Sequence, residues 1–126
     1  MVRYLYNQNH RPPAPFVHVT LRDPDGKVEL AELPAQIDPA ADRTIIPIEV
    51  VEQIGLLPLD DISLVGLGGK ITSYRTHLVS LAIRRCEAHM IEVAAYNGEP
   101  WILLGRDVLN QFRVVLDGPA LALEVG

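Results

Sequence analysis

The stretch that decides the fold reads Gln36-Ile37-Asp38-Pro39-Ala40-Ala41-Asp42-Arg43-Thr44-Ile45-Ile46-Pro47. An apolar strand runs into a polar loop that begins at Asp38, and a short helix is predicted over Pro47–Ile54. Proline suits the first turn of a helix, and Gly55 stands where a left-handed C-terminal cap is expected. On its own, Asp38 would be interpreted as a loop aspartate that caps a turn.

The same order of strand, loop and short helix returns near the C-terminus. Trp101–Leu104 is an apolar run that predicts a buried strand, and Gly105–Gln111 predicts a second short helix. Between these two similar segments, Gly66-Leu67-Gly68-Gly69 predicts the tip of a hairpin, because glycine tolerates positive φ. The strands of this hairpin are predicted over Ile62–Leu67 and Ile71–Ile83. A phosphate-binding loop is a poorer interpretation, since no helix start and no Walker-type lysine and hydroxyl pair follow.

The rest of the chain predicts further short strands separated by turn residues. These strands are Phe16–Arg22, Lys27–Leu33, His89–Tyr96, Phe112–Leu116 and Leu121–Val125. Mostly β structure with two short helices indicates a closed barrel or a sandwich. Residues 1–15 are polar and then proline-rich, which predicts an extended N-terminal arm in front of one domain over residues 16–126.

Composition removes several classes of function. The 126 residues suffice for one domain, and 48% hydrophobic with 21% charged residues is ordinary for a globular protein. A net charge of −5 with scattered basic residues argues against a nucleic-acid partner. No apolar run approaches the ~20 residues that span a bilayer, and the N-terminus has no signal-peptide pattern, so we expect no membrane partner and a cytoplasmic location.

Metal and cofactor chemistry has no candidate residues. Cys86 is the single cysteine, so it forms no internal disulfide and no zinc site. The four histidines lack metal-ligand spacing. We therefore expect no cofactor and no metal.

Taken in order, the motifs resemble those of the retropepsin-like aspartic peptidases, the single-lobe, retroviral-type family. The family's Asp-Thr/Ser-Gly-Ala motif is similar to Asp38-Pro39-Ala40-Ala41, and its second signature is similar to Leu103–Leu109. A glycine-rich flap hairpin lies between them in the family, as Gly66–Gly69 does here. The resemblance spans residues 16–125 and implies an all-β fold, a closed acid-protease-like barrel with a flap hairpin and two short helices.

The resemblance also implies an activity, that of an aspartic endopeptidase acting on a peptide or protein substrate. Each subunit of such an enzyme contributes one catalytic aspartate, here Asp38, so a homodimer would form the dyad. Two close carboxylates cannot both ionise near neutral pH and share a proton. The implied substrate-binding residues are Ala40, Asp42, Gly66, Leu67, Gly68 and Gly69.

Two further positions follow from the resemblance and its second signature. An acidic residue four places after the catalytic aspartate pairs in the family with the arginine after the signature glycine, which predicts a structural ion pair between Asp42 and Arg106. Asp107 follows Gly105-Arg106 on the predicted helix, so we interpret it as a structural cap and not as a second catalytic aspartate.

The sequence departs from the family at the two residues after Asp38. Pro39 replaces threonine or serine and has neither a hydroxyl nor an N–H, and Ala40 adds a methyl group where glycine permits close approach. Two hypotheses therefore stay open. The chain is a homodimeric aspartic endopeptidase, or it is a catalytically impaired member that binds extended peptides by β-addition.

Overall fold

The computed structural model describes residues 1–126 except the side chain of His89. Its strands are β1 Val2–Leu5, β2 Phe16–Arg22, β3 Glu29–Ile37, β4 Ile45–Pro47, β5 Asp60–Val65, β6 Ile71–Ile83, β7 Cys86–Tyr96, β8 Ile102–Leu104, β9 Val114–Asp117 and β10 Ala122–Val125. Its helices are α1 Ile48–Ile54 and α2 Arg106–Leu109, with a single 3-10 turn over Leu67–Gly69.

Six strands close into a barrel. Their order is β2-β3-β8-β4-β7-β6, and a further pairing of β2 with β6 returns the sheet to its start. The interior is filled by fully buried aliphatic side chains from several strands, among them Val19, Leu81, Val93 and Leu104. The predicted fold class, an all-β closed barrel with two short helices, is confirmed.

Helix α1 has the boundaries that its flanking residues favour. Pro47 precedes the first turn with φ −60°, and Gly55 follows the last turn in the left-handed region with φ 77°. The Gly55 N–H donates to the carbonyl oxygens of Val51 and Glu52, which would otherwise lack partners at the helix end. Val51 and Ile54 are buried, so the helix closes the barrel next to β4.

Strand β4 was not predicted. Its three residues pair in parallel with Ala94–Tyr96 of β7, and Ile45 pairs with Leu103 of β8. All of these partners lie about fifty residues or more further along the chain, so the local pattern gives no period to detect. Strand β4 lies between β7 and β8, so the end of the polar loop 38–44 is attached to the sheet.

Part of the stretch expected to be an extended arm is a strand. Strand β1 pairs antiparallel with β10, and β10 pairs with β9, which makes a separate three-stranded sheet. Tyr4, Leu123 and Val125 are buried in the core through this sheet. No helix of the described residues is both long and apolar enough to cross a bilayer.

Gly105 lies between β8 and α2, where the backbone crosses the polar loop 38–44. A Cβ atom on Gly105 would lie 2.5 Å from the carbonyl carbon of Arg43 and 2.9 Å from the amide nitrogen of Thr44. These are backbone atoms, so they cannot turn aside as the end of a flexible side chain would. The missing side chain allows the two loops to touch.

We expect Gly105→Ala to lower the free energy of unfolding by about 1–3 kcal/mol, the usual penalty for overpacking a close contact. The measurement is urea denaturation followed by circular dichroism. The matched control is Gly118→Ala, because a Cβ there would meet nothing within 4 Å. Equal stability of the two variants would contradict the close crossing.

Candidate active site

The loop that begins at Asp38 is ordered by its own backbone. The Asp38 N–H donates to the carbonyl oxygen of Leu104 at 3.0 Å, and the Asp38 carbonyl accepts from the Ala41 N–H at 3.1 Å. The Ala40 N–H donates to Asp38 Oδ1 at 3.2 Å. The half-buried Asp38 side chain is therefore oriented by the residue at the position of the family's glycine.

Arg106 holds the same loop from α2. Its backbone N–H donates to the Ala41 carbonyl at 2.9 Å, and its Nη1 donates to the Pro39 carbonyl at 2.7 Å. Its Nη2 forms an ion pair with Asp42 Oδ1, so the structure brings together the two residues expected to pair. The Asp42 and Arg106 side chains are largely exposed, so the ion pair alone adds little stability. Three contacts from one residue nevertheless restrict the loop.

The most buried polar contact of the site joins Thr44 to Asp107. Thr44 is fully buried, its Oγ1 donates to Asp107 Oδ1 at 2.7 Å, and its N–H donates to the same carboxylate at 3.0 Å. The Gly105 N–H donates to Thr44 Oγ1 at 3.1 Å. Asp107 is therefore committed to a structural contact with the first loop.

Thr44 was not singled out from the sequence. A threonine after a polar loop has no local pattern that distinguishes a surface hydroxyl from a buried one. Its partners Gly105 and Asp107 lie 61 and 63 residues away.

A second polar contact lies beside Thr44. Arg43 Nη1 lies 3.5 Å from Glu92 Oε1, and Thr76 Oγ1 donates to Glu92 Oε2 at 2.6 Å. The Thr44 carbonyl accepts from the Ala94 N–H at 3.1 Å. Strand β7 thus fixes the end of the loop where the chain enters β4.

Behind the loop, an aromatic residue supports strand β3. Trp101 Nε1 donates to Gln36 Oε1 at 3.1 Å, and the Trp101 carbonyl accepts from the Tyr96 hydroxyl at 2.9 Å. Burial, together with the negative charge of Glu99, raises the pKa of Tyr96 to about 12. The hydroxyl therefore stays protonated and able to donate throughout the neutral and acidic range.

The β5–β6 hairpin carries the glycine-rich tip. The Gly66 N–H donates to the Lys70 carbonyl at 2.8 Å, and the Gly69 N–H donates to the Gly66 carbonyl at 3.2 Å. Gly68 and Gly69 have φ of 77° and 79°, a region that glycine enters without strain. The Leu67 side chain at the tip is fully exposed.

Loop and hairpin face each other across a cleft of about 510 Å³. The loop side contributes Ala40, Ala41, Asp42, Arg43 and Ile45, and the hairpin side contributes Ser63, Leu64, Val65, Gly66, Leu67, Lys70, Thr72 and Tyr74. Of the expected substrate-binding residues, Ala40, Asp42, Gly66 and Leu67 line this cleft, whereas Gly68 and Gly69 do not. Asp38 lies next to the cleft in sequence but is not part of its wall.

The acidic side chains that the structure describes at this site do not form a metal-binding cluster. Within the described residues, no three side chains of His, Cys, Asp or Glu come together in a way that could hold a metal ion. Asp42 and Asp107 bind protein donors, Arg106 in one case and Thr44 in the other. The arrangement offers one oriented carboxylate, that of Asp38, beside an open cleft.

The contribution of the Thr44–Asp107 contact to the free energy of unfolding should be measurable. We expect Thr44→Val to lower the free energy of unfolding by about 1–3 kcal/mol, because it leaves the half-buried Asp107 carboxylate and the buried Gly105 N–H short of a partner. Thr44→Ser is the control, since it keeps the hydroxyl and removes one buried methyl group, worth about 0.8 kcal/mol. If valine were tolerated as well as serine in urea denaturation, the hydroxyl would have no stabilising role.

Solved structures similar to this chain share its fold. A retropepsin-like aspartic protease from Rickettsia conorii matches 98% of this chain and 88% of its own, with a TM-score of 0.67 at 14% identity. The EIAV protease complexed with the inhibitor HBY-793 matches 85% of this chain and 92% of its own, with a TM-score of 0.56 at 18% identity. The simian foamy virus (mac) protease matches 76% of this chain and 92% of its own, with a TM-score of 0.54 at 16% identity. At such identities the likeness establishes the fold alone.

Sequence comparison supplies the family. Among curated proteins, none matches the chain significantly. The family described as "gag-polyprotein putative aspartyl protease" matches residues 25–111, which include the Asp38 loop, the β5–β6 hairpin and the Gly105–Asp107 crossing. The match covers more than half of the chain, so this protein belongs to the retropepsin-like aspartic proteases of the gag-polyprotein type.

Proposed function

We propose that this chain is an aspartic endopeptidase that hydrolyses peptide bonds with a dyad of two Asp38 residues, one from each subunit of a homodimer. The observation that carries the proposal is the Asp38 carboxylate, which the Ala40 N–H orients two residues before the loop enters the wall of the cleft that faces the β5–β6 hairpin. Family membership supports the reaction class. The cleft supports an extended peptide as the substrate.

The need for a second copy follows from the carboxylates of one chain. Asp42 is paired with Arg106, and Asp107 is bound by the hydroxyl and N–H of Thr44. Neither is free to face Asp38 as a catalytic partner. A second carboxylate must therefore come from another subunit, and a two-fold axis beside Asp38 would supply it.

The reaction then divides between the two aspartates. Two carboxylates in contact share one proton, because both cannot ionise together. The ionised Asp38 takes a proton from a water molecule, and the oxygen of that water attacks the peptide carbonyl. The protonated Asp38 of the partner subunit donates to the carbonyl oxygen, and a proton later passes to the leaving amine. The β5–β6 hairpin would cover the substrate and exclude bulk water.

The loop geometry supports activity despite the altered motif. The Ala40 N–H still donates to the Asp38 carboxylate, so alanine keeps a backbone contact at this position. Non-glycine residues with positive φ in the described chain are Glu32, Arg84 and Leu121, so Ala40 does not need the freedom of glycine. Arg106 binds the Pro39 carbonyl, which limits movement of the loop.

A second candidate is a catalytically impaired member that binds extended peptides. Pro39 favours it, because proline offers no hydroxyl and no N–H to a network across the dimer axis. Strand β5 also favours it, since it stands at the end of the sheet order and its outer backbone groups are free to pair with a peptide. The two candidates differ in whether the Asp38 carboxylates cleave the bound peptide.

Replacing the aspartate should separate the two candidates. We expect Asp38→Asn to reduce cleavage of a peptide library at acidic pH by about 10²–10⁴-fold, the typical share of acid–base catalysis, while peptide binding persists. A pepstatin-type inhibitor should block the wild type. Asp25→Asn, in the exposed β2–β3 turn, is the matched control and should keep full activity.

Mixing experiments test the homodimer in the same assay. If each site needs two Asp38 residues, exchanging equal amounts of wild type and Asp38→Asn should leave about a quarter of the activity per total chain, since only a quarter of random dimers are wild type on both sides. A site within one chain would leave half. Retained cleavage in the pure Asp38→Asn protein would rule out the dyad altogether.

Restoring the usual motif should raise the rate. We expect the double change Pro39→Thr, Ala40→Gly to increase kcat by about ten- to a hundredfold with little change in KM, because it restores hydrogen bonds that fix the dyad. Pro34→Thr, in strand β3 outside the loop, is the matched control. A double variant that gains nothing would show that Pro39 and Ala40 do not limit the reaction.

A further inference from the structure

The cleft between loop and hairpin carries an excess of positive charge. Its charged side chains are Asp42, Arg43 and Lys70. The negative one is already used, because Asp42 is in an ion pair with Arg106. Arg43 and Lys70 therefore determine which charge on a ligand the cleft favours.

Arg43 is only partly neutralised by its neighbour. Its contact with Glu92 is 3.5 Å long, and the other Glu92 oxygen accepts the Thr76 hydroxyl. Within the described residues the Arg43 guanidinium makes no side-chain hydrogen bond, although it carries five N–H donors. Arg43 lines the cleft and also the neighbouring pocket that contains Glu92, so a ligand carboxylate in the cleft would compete with Glu92 for these donors.

Lys70 approaches the cleft from the opposite side. It follows the glycine-rich tip of the hairpin, is exposed, and makes no ion pair with any described side chain. The inward face of the hairpin adds the hydroxyls of Thr72 and Tyr74, which also line the cleft. One cation from each wall, together with these hydroxyl groups, makes a setting that matches a carboxylate.

We infer that the cleft selects peptides carrying an aspartate or glutamate side chain at the substrate residue that lies between Arg43 and Lys70. The inference rests on the proposed function, because it assigns a preference to the same cleft. A planar guanidinium binds a carboxylate through two parallel hydrogen bonds, and a lysine adds a point charge. An apolar side chain in this place would remove water from the guanidinium without replacing its hydrogen bonds.

The selection is local and opposes the charge of the whole protein. A net charge of −5 repels acidic peptides at long range. At about 0.15 M salt the Debye length is about 8 Å, so distant charges are screened while a contact inside the cleft is much less so. The preference should therefore be measured at that salt concentration.

The probe is a set of positional-scanning decapeptide libraries in which one position is fixed as Glu, Gln, Leu or Lys. Cleavage is measured with the wild type, and binding is measured with full-length Asp38→Asn by fluorescence anisotropy. At one position the Glu library should exceed the Gln library by about three- to tenfold, as expected for one or two partly exposed ion pairs. The Leu and Lys libraries should be lower still.

Variants connect the preference to the two cations. Arg43→Gln and Lys70→Gln should each reduce the Glu-to-Gln ratio at that position, and Arg43→Glu should shift the preference toward Lys. Lys27→Gln, in the exposed β2–β3 turn, is the matched control and should leave the ratio unchanged. Lys70 is at an exposed tip, so its variant tests the inference even if a change at Arg43 disturbs folding.

The possible outcomes are distinct. Cleavage without an acidic preference overturns this inference and leaves the proposed function standing. An acidic preference that survives both Arg43→Gln and Lys70→Gln overturns the assignment to these residues. If the wild type cleaves no library and Asp38→Asn binds none, the proposed function fails and the inference falls with it. An acidic preference in cleavage that the variants abolish supports both, whereas one seen in binding without any cleavage supports the inference and contradicts the proposed hydrolysis.

Discussion

The structure depends on one buried contact, in which the hydroxyl and N–H of Thr44 bind the carboxylate of Asp107. It joins two loops that are 63 residues apart in sequence, and it lies where Gly105 lets their backbones touch. The buried Thr44 hydroxyl and N–H would be unfavourable without such a partner, so the contact also determines how the loops meet. The position of Asp38 follows, because its N–H is bound to the Leu104 carbonyl one residue before the crossing.

The same contact explains why fold and chemistry can be separated in this chain. The loop is held at its far end by Thr44, at its middle by Arg106, and at its start by Leu104. None of these contacts uses the side chain of residue 39 or 40. Substitution by Pro39 and Ala40 therefore leaves the scaffold intact and bears only on the groups that would face a second subunit.

Sequence reasoning was most successful where the signal is local. Pro47 and Gly55 predicted the limits of α1 within one residue, because a fixed φ and a left-handed cap act inside one turn. The barrel was found from the order of its motifs and not from any single strand. Strands β1 and β4 and the role of Thr44 were missed, since each depends on partners far along the chain. Such pairings exist only once the barrel has closed, so no window of sequence contains them.

The open edge of β5 has a consequence for solubility. A strand with unpaired backbone groups is a template for any extended segment, including one from another copy, and the hairpin tip exposes Val65, Leu67 and Ile71. Adjacent acidic residues at the start of β5, Asp60 and Asp61, place negative charge on this edge, and such charge opposes pairing of the edge with a second copy. Replacing Asp60 and Asp61 with neutral residues would therefore favour self-association through the same strand edge that a bound peptide would use.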